Sequence, residues 1–95
     1  MKRAELIAKL RDACDMASHY QGGYSGEFLD AQAFATALRA AVQHLADGQD
    51  DTISDLKQWF APTCAWDDFV GTEGIRLGNE IYSALKTYHT HGLHD

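Results

Sequence analysis

The side chains of this 95-residue chain that could do chemistry crowd into one stretch, Trp59 to Gly71, which holds both tryptophans, the only proline and one of the two cysteines. At its centre Asp67 and Asp68 lie between Trp66 and Phe69. Rings beside carboxylates suit the gripping of a basic surface, the rings as buried anchors and the acids as peripheral charge. The same two acids also lie just ahead of a helical pattern, where carboxylates accept orphan amide hydrogens and interact favourably with the helix dipole. Exposure of Trp66, Asp67, Asp68 and Phe69 separates the two readings.

Other groups match known chemistries less well. Asp47, Asp50, Asp51 and Asp55 lack the alternating ligands, central glycine and distal glutamate of an EF-hand loop. His89, His91 and His94 sit in the last seven residues without a Cys-x-x-Cys or His-Glu-x-x-His frame, so residues 89–95 read as a frayed tail and not a metal centre. Cys64 matches no cysteine-hydrolase signature, and Cys14, on an apolar helix side, reads as a small core residue. The glycine-rich run Gly22 to Gly26 lacks the lysine and preceding strand of a phosphate-binding loop. No catalytic residue, metal or cofactor is assigned.

The elements that must position these groups follow from apolar spacing. Leu6, Leu10, Ala13, Ala17 and Tyr20, three and four apart, predict a helix from Arg3 to about Tyr20. A loop over 21–26 follows, in which Ser25 could cap the next helix. Phe34, Leu38, Ala41, Val42 and Leu45 predict a second helix over 27–46, closed by Asp47-Gly48. Asp50, Asp51 and Thr52 compete to cap a third, carried by Ile53, Leu56 and Phe60, which Pro62 cannot continue. An ordered aromatic loop over 61–71 leads to a last helix bearing Leu77, Ile81, Ala84, Leu85 and Tyr88 and ending near His89, its start weakened by Gly74 and Gly78. The fold expected is all-α, a single domain over 1–95 built as a compact bundle of about four helices.

Charge narrows the partners. Fourteen acids against eight bases give −6, which repels phosphate backbones, so nucleic acid is not the expected partner. Residues 27–80 hold ten acids and three bases, Arg39, Lys57 and Arg76. No segment has the run of apolar residues needed to cross a bilayer, and no apolar leader opens the chain, so a cytoplasmic location is expected.

Phe60-Ala61-Pro62-Thr63, Trp66-Asp67-Asp68 and Gly78-Asn79-Glu80-Ile81 together resemble a group of short bacterial proteins of unassigned biochemistry, over the second half of the chain. Some members look like accessory or immunity-type proteins, and the resemblance implies no catalytic residue. The expectation is therefore a noncatalytic interaction module, immunity-type or inhibitor-like, that binds a basic protein through Trp66, Asp67, Asp68 and Phe69. Two alternatives stay open. One is a small enzyme or ligand-binding bundle with a pocket lined by Asp67, Asp68, Glu80 and Cys64, and the other is a homodimer closed through surplus aromatic surface.

Overall fold

The computed structural model describes residues 2–23, 28–49, 51–61 and 64–91, with the side chains of 88–91 excepted. The elements are α1 (Arg3–Ser18), α2 (Ala31–Ala46), α3 (Ile53–Phe60), α4 (Ala65–Phe69), a 3-10 turn (Gly71–Gly74) and α5 (Ile75–His91). No strand occurs among the described residues. Ser25, Asp50, Pro62, Thr63 and His94, all named above, lie outside them.

The apolar stripes become the core. Leu6, Leu10, Ala13 and Ala17 of α1 and Phe34, Leu38, Ala41, Val42 and Leu45 of α2 are buried, and these two helices pack on each other. Leu56 and Phe60 of α3 meet Ile81 and Leu85 of α5 in the same continuous core, and α5 also packs on α1. Between the first two helices Gly22 and Gly23 adopt positive φ, a conformation in which any side chain is strained. The loop is tied down where Ala31 N–H donates to Gly22 O at 2.8 Å and the Gln32 amide donates to Tyr20 O at 2.9 Å.

The second helix starts four residues later than its composition suggests. Asp30 is extended, and its carboxylate accepts from Ala33 N–H at 2.8 Å, satisfying one of the amides that a helix start leaves orphaned. Asp30→Ala should lower stability by about 1 kcal/mol, while Asp30→Ser should keep most of it; urea midpoints of the two variants check this. The other end matches expectation in detail. Gly48 at φ 93° donates to Leu45 O at 3.0 Å and Gln49 to His44 O at 2.9 Å, the two bonds of a Schellman closure. Arg3 also donates to Leu45 O, fastening the start of α1 to the end of α2.

The largest departure falls in the expected aromatic loop. Residues 65–69 form a short helix, Gly71 at φ 68° closes it, and a 3-10 turn runs directly into α5. The bundle thus has five α-helices among the described residues. Ala65, Trp66, Phe69 and Val70 place one apolar face of this turn of chain against the core.

Candidate functional site

The α4 segment is held by its tryptophan. The Trp66 ring has no solvent exposure, lies 5.0 Å from the Phe60 ring centre, and donates from Nε1 to Gly74 O at 2.9 Å. Its seat against the 3-10 turn and the start of α5 exists only because two residues there lack side chains. A Cβ built on Gly78 would stand 2.5 Å from Trp66 Cδ1 and Nε1, and one on Gly74 would stand 2.6 Å from Cζ2, far inside carbon–carbon contact distance. Gly74 and Gly78, one helical turn apart, form the notch that admits the indole.

Phe69 is also internal, 7% exposed and stacked 5.4 Å from Phe34. Phe28, Phe34 and the half-buried Trp59 complete a cluster of edge-to-face contacts around it, with centroid separations of 5.3 to 6.4 Å. Trp66 and Phe69 therefore cannot serve as exposed anchors, which corrects that half of the expected partner-binding face. The physical reason is plain: i and i+3 on a helix share a face, and on α4 that face is the core side.

The acids end up elsewhere. Asp67 is half-buried and Asp68 is exposed, both inside the first turn of α4 and not at its N-cap, which is Cys64 with no side-chain cap bond. The N-cap position is thus not theirs, while their place in the first turn is where carboxylates interact favourably with the helix dipole. Five residues on from Asp68, the exposed Glu73 accepts from Tyr20 Oη at 2.5 Å. That bond raises the Tyr20 hydroxyl above its ordinary pKa, with desolvation and the Glu73 charge adding to it. It also pins the end of α1 to the 3-10 turn. Leu29, 84% exposed, and Ile75, 47% exposed, are the large apolar side chains left in solvent among the described residues.

Glu80 does not join Asp67 and Asp68. Gly78 faces Trp66, and a residue two positions on lies about 200° further round the helix. The Glu80 carboxylate instead accepts from Lys9 Nζ of α1 at 2.6 Å in a half-exposed ion pair. This partnership lowers the carboxyl pKa of Glu80 and raises that of the Lys9 ammonium, in each case chiefly through the shared hydrogen bond and then through charge. The carboxylate-lined pocket expected from Asp67, Asp68, Glu80 and Cys64 is therefore not assembled. Glu80 lines an open groove with Asn79, Ser83, Ala84 and Thr87.

Asp47, Asp51 and Asp55 are exposed around the junction of α2 and α3. Among the described residues no group of three or more His, Cys, Asp or Glu is arranged to hold a metal ion. No helix among them is long and apolar enough to cross a membrane. Cys14 is buried, and desolvation pushes its thiol above the ordinary range.

Two features escaped the sequence reading. One is the Gly74–Gly78 notch, whose signal was a pair of glycines four apart inside an otherwise helical pattern. The other is the Tyr20–Glu73 bond, which joins residues 53 apart and leaves no local signal. The motif pieces Trp66-Asp67-Asp68 and Gly78-Asn79-Glu80-Ile81, separated in sequence, touch through the indole and Gly78. Compared with known proteins, the chain matches no family model, no curated protein and no solved structure.

Proposed function

We propose that this chain is a noncatalytic interaction module, immunity-type or inhibitor-like, that binds a basic protein through the acidic rim of α4 and the 3-10 turn. One observation carries the reading: Asp67, Asp68 and Glu73 ride on a segment whose backbone is fixed by the buried Trp66 indole and by the Tyr20 bond. A charged surface already held in one geometry loses little conformational freedom on binding. No basic residue interrupts the chain between Lys57 and Arg76, so the segment itself carries one sign of charge. Ile75, at the edge of this segment, supplies an apolar contact beside it. The resemblance of the Trp-Asp-Asp and Gly-Asn-Glu-Ile segments to short accessory proteins points the same way.

A rim of exposed carboxylates accelerates encounter with a cation more than it tightens the final complex, and salt screens it. Affinity capture from native cells at about 0.05 M salt should therefore retain a stoichiometric basic protein that elutes as salt approaches about 0.5 M, where the Debye length falls toward a few ångströms. Retention of an acidic or neutral protein, indifferent to salt, contradicts the proposal.

A further inference from the structure

We infer that the cleft between α1 and α2 is a binding site for a small zwitterionic oxyanion, a phosphate or carboxylate group carried beside an ammonium. The cleft measures about 330 Å³ and is lined by Arg11, Cys14 and Asp15 of α1 and by Arg39, Val42 and Gln43 of α2. This falls within the range of small-molecule sites, which starts near roughly 300 Å³. Cys14 and Val42, 6% and 2% exposed, form an apolar floor, and the three charged groups stand at the rim.

What singles out this cleft is that two guanidiniums, a carboxylate and an amide line one apolar-floored opening between two helices, with no protein group among the described residues paired to the charges. Among the described residues, neither the Arg11 nor the Arg39 guanidinium, nor the Asp15 carboxylate, has a side-chain hydrogen bond or an ion pair. Arg11 and Asp15 are one turn apart on one helix, but with the base N-terminal to the acid, the weaker order for such a pair. Two cations of α1, by contrast, are engaged, Arg3 on Leu45 O and Lys9 on Glu80. Both guanidiniums also reach the floor electrostatically, since Arg39 and Arg11 each oppose the rise that burial imposes on the Cys14 thiol.

The chemistry of the ligand follows from the set. Guanidinium is a planar fork that matches the oxygens of phosphate or carboxylate. Asp15 repels a simple anion, yet an ammonium next to the oxyanion turns that repulsion into a third contact. Gln43 offers an amide for a remaining oxygen. Net charge is negative overall, so a free anion would not gather here by long-range attraction. Only a local, matched arrangement could hold it.

The test is a titration of the full chain with O-phosphoserine and, separately, with inorganic phosphate, read on the arginine Nε–H resonances by NMR. Both should shift Arg11 and Arg39 saturably, with phosphoserine the tighter ligand. Arg11→Gln and Arg39→Gln should each weaken phosphoserine at least tenfold, and because both side chains are exposed the fold should survive. Arg76→Gln, an exposed arginine on α5, should leave binding unchanged. Asp15→Asn should erase the advantage of phosphoserine over phosphate. Shifts that grow linearly without saturation, equal affinity for the two probes in the native chain, or losses as large in Arg76→Gln as in Arg39→Gln overturn the site.

Discussion

Gly78→Ala should destabilise the fold by about 2–3 kcal/mol, although the same change on an exposed helix face stabilises. Helix propensity alone favours alanine over glycine by about 1 kcal/mol. Against this, the new methyl would stand 2.5 Å from the indole at Cδ1 and Nε1, and overpacking a filled core costs about 1–3 kcal/mol. The ring cannot retreat without giving up its bond to Gly74 O, and a buried N–H left without a partner costs about 1–3 kcal/mol more. Steric and polar costs together exceed the propensity gain, which fixes the sign. Urea denaturation followed by circular dichroism measures it, and a variant more stable than the native chain would mean that the indole does not rest on Gly78.

The second large effect is at the ring itself. Trp66→Ala should cost about 3–5 kcal/mol, the range for emptying a buried aromatic site, out of a total stability of about 5–15 kcal/mol for an ordinary domain. A sizeable fraction of this variant should unfold well below the native transition. The pair also supplies an internal control. With the indole gone, a methyl at position 78 has room, so adding Gly78→Ala to Trp66→Ala should stabilise by about 1 kcal/mol. The coupling between the two positions then amounts to about 3–4 kcal/mol, at or just above the top of the range seen for residues in contact. Simple additivity in the double variant would contradict the packing described.

Sequence periodicity revealed most of the architecture. Leu6, Leu10, Ala13 and Ala17, and then Phe34, Leu38, Ala41, Val42 and Leu45, were identifiable as core because a stripe repeating every three to four residues can bury only one helix face. Asp47-Gly48 marked its closure because a left-handed residue is needed there. The start of α2 was misplaced because Asp30 caps it from inside a stretch whose composition suits a helix equally well. Helix α4 was missed for a different reason: five residues are too few for a period to show.

The candidate surface was half legible. Asp67 and Asp68 read as the charged part of the segment; Asp68 is exposed and Asp67 half-buried. Trp66 and Phe69 read as rings offered to a partner, whereas their spacing of three places them on one helical face. What no local pattern could reveal is the partner of that face. Gly74 and Gly78 read as weaknesses in a helix; tertiary packing makes them the seat of the indole. Long-range pairs such as Lys9 with Glu80 and Tyr20 with Glu73 depend on how helices meet, which single-chain periodicity does not encode.

Under the proposed function, recognition resides in the acid rim, with the indole acting only as the internal peg that holds it. Binding of the captured basic partner should be measured side by side for the native chain, for Trp66→Phe and for the double variant Asp67→Asn/Asp68→Asn, each first confirmed folded by circular dichroism. Trp66→Phe should bind like the native chain, and the double variant should lose at least tenfold in affinity at low salt. Undiminished binding by the double variant, or loss confined to a folded Trp66→Phe, contradicts the proposal.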